Sequence, residues 1–321
     1  MKRVLVSIII VNHNGRDLLK KALDSIYKTE NAGKYEMIVV DNNSTDDSID
    51  FIKRNYKAVR IIKNDINLGY VGINSALPYC KGNYILFLNN DMEIDKNCIG
   101  NMVKAIESDK NIEMVAPKLI NYYDKNLVSQ GTWVSRAFYN GHIKGNAKSS
   151  VKEIPYLGVG LIKKDFVDMF GYLFDPDYFI YAEDLDLGLR IRLNGKKTIF
   201  DPDAIIYHIH ARTTEKISKS FPTYLMERNS LITFFKILSL KNIIFYLPYV
   251  FGIRLFAVIM DMLTLNFNNT LARIKAILWI IFHINLIIKK RKETQKFRKA
   301  DDKFILKVFS EKYLFKKKFI V

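Results

Sequence analysis

The chain has 321 residues, of which 49% are hydrophobic and 26% are charged, a composition that supports a large buried core and excludes wholesale disorder. Its net charge of +17 lies mostly in the C-terminal third: residues 1–215 hold 29 Lys/Arg and 27 Asp/Glu, residues 216–288 hold 8 and 2, and residues 289–321 hold 13 and 4. Because the first two thirds are nearly neutral, a basic DNA-binding fold spread over the whole chain is disfavoured.

The first third of the chain predicts alternating strands and helices. Residues 4–11 form a short, β-branched apolar run, as expected of a parallel strand that is buried on both faces. This run is too short for a signal peptide, and polar residues follow it without a cleavage site. Further strands are expected at residues 36–40, 59–63 and 84–88, and helices at residues 17–27, 48–55, 72–79 and 98–108. This alternation predicts an open α/β sheet, which binds ligands outside the carboxyl ends of its strands.

The second third predicts fewer and shorter elements. Residues 121–153 are polar and predict loops with short strands. The elements expected around them are a strand at 114–120, a strand and helix at 159–170, a helix at 184–194, two strands at 197–200 and 205–208, and a helix at 224–238. Cys80 and Cys98 are too few for a disulfide framework and lack zinc-site spacing, so they predict reduced thiols in a cytosolic protein.

Polar clusters follow three of the predicted strands, at Asn12, at residues 41–46 and at residues 89–91. The carboxylates and amides of 41–46 can bond a nucleobase or ribose, or they form a turn that caps the next helix. The acidic and amide groups of 89–93 suit a divalent cation and a diphosphate, or they form an ordinary turn at the end of a strand.

Two further clusters lie in the second half of the chain. Three carboxylates at residues 183–186 follow an aromatic run, and partial burial there would raise a carboxyl pKa toward a value suited to a general base. The alternative is an acidic first helical turn that complements the helix dipole. The segment 205–210 ends in two histidines, and His208 suits a metal site, although a lone histidine is more often structural.

The order and spacing of these segments are more specific than any one of them. The segments are VSIIIVNHN at 6–14, VVDNNSTD at 39–46, NLGY at 67–70, LNND at 88–91, GYLFD at 171–175 and YAEDLDL at 181–187, followed by Arg190 and His208. With them the sequence resembles the family 2 inverting glycosyltransferases, particularly the rhamnosyltransferase-like members, from about residue 4 to about residue 238. The resemblance implies an α/β, GT-A type fold, which is a Rossmann-like mixed sheet flanked by helices, with a helical C-terminal extension. We expect a catalytic domain at 1–222 and a helical, apolar and basic region at 223–321.

The resemblance also implies a site for a nucleoside-diphosphate sugar, linked to UDP or dTDP. The residues expected to bind this donor are Val11, Asn12, Asp41, Asn43, Asn67, Gly69, Tyr70, Asn89 and Asn90. A divalent ion, Mg or Mn, is expected on Asp91 and His208. The family's Asp-x-Asp metal motif falls on residues 89–91, where Asn89 replaces the first carboxylate and weakens the negative charge of the expected site.

Catalysis is expected at residues 183–184. Asp184 aligns with the family's general base, and Glu183 is its neighbour and second candidate. Gly158 and Arg190 are expected on the acceptor side, where Val159 departs from the small residue that the family usually has. The base would take the proton of a glycan or lipid-linked hydroxyl as it attacks, while the metal stabilises the leaving diphosphate and single displacement inverts the anomeric carbon.

The C-terminal region is apolar and basic. Residues 243–265 have the length of a membrane-spanning helix, but Arg254 and Asp261 interrupt them, and residues 276–288 are too short. The helices are expected either to lie on an anionic membrane with Lys/Arg facing the lipid, or to pack on the catalytic domain. The first alternative is favoured, and it predicts a cytoplasmic protein at the inner face of the cell membrane.

The main competing hypothesis is a catalytically weak nucleotide-sugar-binding or scaffold protein on the same fold, which the Asn89 departure supports. The presence of Asp41, Asp91, Glu183, Asp184 and His208 together argues against it. No recognised nucleic-acid-binding motif is present, so nucleic acid is not expected as a partner. A sugar nucleotidyltransferase is disfavoured because no Gly-rich, Lys-bearing phosphate loop lies near the N-terminus.

Overall fold

The computed structural model describes residues 5–29, 35–143, 150–209 and 220–313. Its first half alternates strands and helices as predicted. The strands are β1 (Val6–Asn12), β2 (Tyr35–Asn42), β3 (Arg60–Asn64), β4 (Tyr84–Asn89) and β5 (Met92–Ile94). The helices are α1 (Arg16–Tyr27), α2 (Ser48–Asn55) and α3 (Cys98–Glu107), and a 3₁₀ segment covers Gly69–Tyr79, where the sequence predicts a helix.

The second half adds β6 (Ile112–Asn121), β7 (Leu127–Ser129), β8 (Thr132–Val134), β9 (Asn140–His142), β10 (Lys152–Ile154), β11 (Gly160–Lys163) and β12 (Lys197–His208). Two helices, α4 (Lys164–Phe170) and α5 (Glu183–Leu193), lie between β11 and β12. The two strands predicted at 197–200 and 205–208 are one strand in the structure. The gap that the sequence predicts between the two strands is a register shift between Asp201 and Ile205. This shift includes Pro202, which has no N–H to donate to the ladder.

One mixed sheet organises these elements, in the order β10-β12-β6-β11-β4-β1-β2-β3, with β5 paired to β12 and β7 to β6. Strands β3, β2, β1 and β4 run parallel, whereas β11 is antiparallel to both β4 and β6. Every residue of β1 is buried, because helices cover both faces of the sheet. Ile8 and Ile10 pack under α1 to α3, and Ile9 and Val11 pack on the opposite face.

Five helices complete the described chain: α6 (Ser220–Ile237), α7 (Leu240–Leu263), α8 (Phe267–Phe282), α9 (Ile284–Gln295) and α10 (Asp302–Leu306). The predicted domain boundary at 222/223 falls within the first turn of α6, and the division of the chain into two domains stays a prediction. Helix α6 contacts α5, α8 and α9. The sequence left open whether this region packs on the catalytic part, and the structure shows that one side of it does.

The other side of these helices is exposed and apolar. The apolar surface of α7 and α8 includes Ile244, Phe245, Leu255, Leu263, Phe267 and Phe282, all at least 57% exposed. Within the described residues, α7 is the one single helix with the length and apolar composition to cross a membrane. Helices α8 and α9 meet the same criteria only when they are taken together as one span, with a bend of 72° between them.

The charges that interrupt the apolar run of α7 face the protein. Arg254 is fully buried, with its Nε 3.0 Å from Oε2 of Glu227, and its guanidinium also donates to the carbonyl of Ala137. Asp261 accepts a 2.7 Å hydrogen bond from Nε of Arg273. Because buried charges are stable only when paired, these contacts hold one side of α7 against the body and leave the opposite side to the solvent.

Candidate active site

The carboxyl ends of β1, β2 and β4 bring four predicted donor residues to one edge of the sheet. Asn12 is the register partner of Asp41, and Val11 is the partner of Asn89. Asp41 is buried; its Oδ2 accepts a bond from the backbone N–H of Ser44, and its Oδ1 has no partner among the described residues. A buried carboxylate oxygen without a partner costs free energy, so it is an acceptor poised for a ligand.

Asn12 and Asn90 hold each other in place at this edge. The side-chain nitrogen of Asn90 donates to Oδ1 of Asn12 at 2.7 Å, and the side-chain nitrogen of Asn12 lies 3.2 Å from the Ser44 hydroxyl. A Cβ at Gly15 would lie 2.1 Å from the Asn90 nitrogen, so a larger residue there would displace the Asn90 side chain from Asn12. Sequence reasoning missed Gly15 and Ser44 because their partners lie far away in the chain.

The predicted donor residues Asn67, Gly69 and Tyr70 form the start of the 3₁₀ segment, beside the strand ends. Oδ1 of Asn67 accepts the backbone N–H of Gly69 at 2.9 Å, and Gly69 has a φ of +67°. A Cβ at Gly69 would lie 2.4 Å from the carbonyl oxygen of Phe179, which also accepts the backbone N–H of Tyr70 at 2.8 Å. The 3₁₀ segment is therefore fixed directly to the loop that precedes α5.

Another predicted donor residue, Asn43, lies exposed in the turn after β2 and has a φ of 58°.

Asp91 and His208 meet, as the predicted metal pair requires. Strands β5 and β12 pair so that His208 lies opposite Met92, and its Nε2 is 3.1 Å from Oδ2 of Asp91. The other oxygen of Asp91 is buried and without a hydrogen-bond partner in the described chain. The described residues contain no cluster of three metal-binding side chains, because Asn89 stands where the sequence pattern has a carboxylate. Asp91, with its open oxygen, and His208 would supply two protein ligands, which fits a cation that takes its other ligands from a diphosphate and water.

A strained loop positions the predicted catalytic carboxylates. Phe179, Tyr181 and Ala182 have φ values of 66°, 67° and 61°, which residues with side chains rarely adopt. The side-chain nitrogen of the buried Asn229, on α6, holds them by donating to the carbonyls of Tyr178, Ile180 and Tyr181 at 3.0, 3.2 and 2.7 Å. The sequence offers no distinct signal for Asn229, because it stands among the polar residues Glu227, Arg228 and Ser230.

Glu183 and Asp184 open α5 directly after this loop. Burial raises the pKa of Asp184 to about 6. Burial, and then the charge of Asp184, raise the pKa of Glu183 well above its usual value, and Oε2 of Glu183 has no described partner. Of these two neighbours, Asp184 is the one that loses its proton near neutral pH and is available as a base.

Tyr70 connects the two groups of carboxylates. Its hydroxyl donates to the carbonyl of Gly158 at 2.8 Å. Burial and the charges of Glu183, Asp184 and Asp91 raise the pKa of Tyr70 well above its usual value, which keeps it a neutral phenol. The charges of Asp91 on the one hand, and of Glu183 and Asp184 on the other, therefore act on the same buried tyrosine.

Gly158, predicted on the acceptor side, lies beside Asp184 in the structure. A Cβ on Gly158 would lie 3.1 Å from Oδ2 of Asp184, so the glycine leaves space for this carboxylate. Tyr156, two residues earlier, is also buried near the pair, and its pKa is raised by burial and then by the charges of Asp184 and Glu183.

Arg190, predicted on the acceptor side, does not lie in this cleft. It is fully buried, its Nε donates to Oδ2 of Asp186 at 2.8 Å, and its Nη2 donates to the carbonyl of Leu173. Its guanidinium also lies over the rings of Phe170 and Tyr172. Asp186 precedes Arg190 by one helical turn, so both side chains lie on the side of α5 that points into the core rather than toward an acceptor.

Below α5, buried ion pairs connect Asp186 and its neighbours to the C-terminal helices. Nζ of Lys236, on α6, lies 2.6 Å from Asp175 and 2.7 Å from Asp186. Nζ of Lys290, on α9, lies 2.6 Å from both Asp175 and Asp177. The charges of Lys236 and Lys290 hold the pKa of Asp175 below its usual value against the opposing effect of burial. The helix that presents the base is therefore supported by residues from two C-terminal helices.

Comparison with known proteins identifies the family. The model of glycosyl transferase family 2 matches residues 7–157. The chain is 33% identical over 199 residues to the UDP-Glc:alpha-D-GlcNAc-diphosphoundecaprenol beta-1,3-glucosyltransferase WfaP of Escherichia coli, covering 59% of this chain and 73% of WfaP. The chain belongs to glycosyl transferase family 2.

A second relative of this family 2 glycosyltransferase is the rhamnosyltransferase WbbL of Escherichia coli K12, which is 28% identical over 262 residues and covers 74% of this chain and 96% of WbbL. Two other matched relatives are much longer proteins, and the match covers only 14% and 24% of their lengths. The crystal structure of GalNAc-T7 with UDP, GalNAc and Mn²⁺ superposes with a TM-score of 0.62 at 19% identity, covering 76% of this chain and 50% of that one. This likeness confirms the predicted GT-A fold.

Proposed function

We propose that this protein transfers a sugar from a nucleoside-diphosphate sugar to an acceptor hydroxyl by a single displacement that inverts the anomeric carbon. The observation that supports this most is that the ionisable Asp184 lies beside Gly158, whose carbonyl accepts the Tyr70 hydroxyl, and that the charges of both Asp184 and Asp91 act on Tyr70. A reaction of this kind needs one catalytic base and a separate site for the leaving diphosphate, whereas glycoside hydrolysis needs two carboxylates.

The donor nucleotide is proposed to bind at the ends of β1, β2 and β4. The free oxygen of Asp41 suits a ribose hydroxyl or a nucleobase N–H, and the Asn12–Asn90 pair forms the adjoining wall. The printed name of WfaP specifies UDP-glucose, and a TarS structure from S. aureus contains UDP-GlcNAc. These names support a UDP-linked donor, and a dTDP-linked donor stays the alternative from the sequence.

Asp91 and His208 are proposed to hold a divalent cation together with the donor diphosphate. Such an ion, when bound, stabilises the negative charge that develops on the leaving group. The protein's own part is to hold these two side chains within 3.1 Å of each other and to keep one oxygen of Asp91 open.

Asp184 is proposed to remove the acceptor proton as the hydroxyl attacks. Oδ1 of Asp184 accepts the backbone N–H of Leu185 at 2.8 Å, which fixes the carboxylate and leaves Oδ2 next to Gly158. Proton transfer to Oδ2 occurs as the new glycosidic bond forms and the bond to the diphosphate breaks.

The acceptor is proposed to be lipid-linked, with the protein docked on the inner face of the cell membrane. The names of two relatives specify a diphosphoundecaprenol and a dolichyl phosphate acceptor. The exposed apolar surface of α7 and α8 supports docking, because an apolar surface of this extent is costly in water and stable at a membrane interface.

The experiment that tests the function measures donor binding and sugar transfer separately. We expect nucleotide sugars to raise the thermal stability of the wild type and of Asp184→Asn alike, while transfer is lost in Asp184→Asn. Asp168→Asn, which removes an exposed carboxylate on α4, is the matched control and should transfer normally. Transfer by Asp184→Asn at the wild-type rate would contradict the assignment, and donor binding without transfer by the wild type would favour a scaffold protein.

A further inference from the structure

A groove of about 630 Å³ runs between the start of α6 and one side of α8. Its walls are mostly apolar and aromatic, and are formed by Phe221 and Tyr224 from α6 and by Leu271, Ala272, Leu278 and Trp279 from α8. Lys275 supplies a cation on the α8 wall. The donor and base sites described above use none of these residues.

One end of the groove adjoins the loop that positions the catalytic carboxylates. The rings of Phe221 and Phe179 lie 6.3 Å apart, and the carbonyl of Phe179 accepts the backbone N–H of Tyr70. Arg228 lies toward the opposite end of the groove, with its guanidinium 5.2 Å from the ring of Trp279, and it donates to the carbonyl of Tyr178 in the same loop. A ligand in the groove would therefore lie beside the loop that positions the catalytic carboxylates.

The groove opens onto the apolar surface of α7 and α8. Leu271, near the start of α8, is 54% exposed, Phe282, at its end, is 78% exposed, and both line the groove. The groove is thus continuous with the surface that is proposed to dock on lipid, and it lies beside the loop of the cleft.

We infer that this groove binds the polyprenyl chain of a lipid-diphosphate acceptor. An amphiphile with an apolar chain and an anionic head matches the chemistry of the groove, whose walls are apolar and aromatic and which has Lys275 in its wall and Arg228 against Trp279. This inference rests on the proposed function, since it names the acceptor's lipid and the place where it binds.

Trp279 provides a direct probe of this site. The chain has two tryptophans, and the other one, Trp133, is buried in β8. In a Trp133→Phe background, geranylgeranyl diphosphate should produce a saturable blue shift of the emission, because the chain removes water from the indole. Inorganic diphosphate should produce no shift, and Trp279→Phe in the otherwise wild-type protein should lose the response.

Two charge substitutions on α8 separate the groove from the surface. Leu278→Glu places a charge in the groove, whereas Ile281→Glu places one on the same helix at an exposed position that does not line it. We expect Leu278→Glu to weaken geranylgeranyl diphosphate binding about tenfold or more, since the lost apolar contact of one leucine has that value. Ile281→Glu should bind the prenyl diphosphate as the wild type does.

Equal prenyl affinity in the two variants, or no response of Trp279, would overturn the inference. Transfer assays distinguish a failure of the inference about the groove from a failure of the proposed function. If the function holds and the groove does not bind lipid, Leu278→Glu will use long-chain and short-chain acceptors as well as the wild type does. If the function fails, no acceptor will receive sugar, although the fluorescence titration still reports prenyl binding.

Discussion

At the scale of single residues, the basicity of Asp184 comes from its surroundings. Glu183, Tyr70 and Tyr156 face it, and burial raises its pKa to about 6. A carboxyl with a raised pKa binds its proton more tightly in the folded state. Its contribution to stability is therefore full below the unfolded pKa, near 4, and is lost as the pH rises through about 6.

We predict that Asp184→Asn stabilises the protein at pH 8 while abolishing transfer. The gain in the free energy of unfolding should be about 1 to 2 kcal/mol, less than the full pKa shift implies because the side chain is partly exposed. Denaturant titrations at pH 4 and pH 8 measure it, and the difference between variant and wild type should vanish at pH 4. Asp168→Asn should show no such pH dependence. If the free energies of unfolding of Asp184→Asn and the wild type differ by the same amount at pH 4 and pH 8, the prediction is contradicted.

We predict that Gly158→Ala slows turnover without weakening donor binding. The new Cβ would lie 3.1 Å from Oδ2 of Asp184, so the carboxylate must move by a few tenths of an ångström. Such displacements lower the rate of the chemical step, here about tenfold in kcat. Gly252→Ala on α7, where a Cβ meets nothing within 4 Å, is the control. A normal kcat in Gly158→Ala would show that this contact does not position the base.

The sequence anticipates residues of this site that lie in recognisable segments, such as Asp91, His208 and Asp184. It does not anticipate Gly15 or Asn229, because their roles depend on partners about 75 and about 50 positions away in the chain. Arg190 lies away from the cleft for a related reason: its position on α5 is predictable, but which side of a largely buried helix faces the cleft is not.

At the scale of elements, the loop before α5 and helix α6 form one unit. Three residues with side chains hold positive φ values, and each such residue costs about 1 kcal/mol or more. The amide of Asn229 offsets this by bonding three carbonyls of the loop. The strands of the sheet could be predicted from their apolar runs, but this loop could not, since its shape depends on a residue of another helix.

We predict that Asn229→Ala impairs catalysis through the loop. Loss of the buried donors should lower stability by about 1 to 3 kcal/mol and kcat about a hundredfold, with little change in donor binding at the strand ends. Steady-state kinetics and calorimetric donor binding measure the two effects. Met226→Ala, at an exposed position of α6, is the control for a general effect on this helix. An equal loss of donor binding and turnover in Asn229→Ala would contradict a role confined to the loop.

At the scale of the whole molecule, the C-terminal region packs on the catalytic part, which is one of the two alternatives that the sequence left open, while membrane contact stays a prediction. The packing uses buried charges, and the other side of the region exposes an apolar surface. The basic run after α8 is only partly available to lipid, because Lys290 pairs with Asp175 and Arg291 donates to the carbonyls of Phe235 and Leu238. Composition gives the charge of this region, but not which cations are already paired.

We predict that membrane binding depends more on apolar contact than on charge. The wild type should bind vesicles even at about 1 M salt, where the Debye length is only about 3 Å. The double variant Ile244→Glu, Phe245→Glu should lose binding, whereas Ile66→Glu, at an exposed apolar position before the 3₁₀ segment, should bind normally. Vesicle flotation measures this, and complete release of the wild type by salt would contradict it.

The pairing of Lys290 with Asp175 and Asp177 has a consequence for biosynthesis. The ribosome completes the sheet and the strand-end turns long before it reaches residue 290. Until α9 emerges, the carboxylates beneath α5 lack one of their cations, and until α10 emerges Arg192 of α5 lacks the carbonyls of Phe304 and Ile305 that accept its bonds. The support of the helix that carries Asp184 is thus completed after the sheet, and we expect a chain that ends before α9 to bind nucleotide but not to transfer sugar.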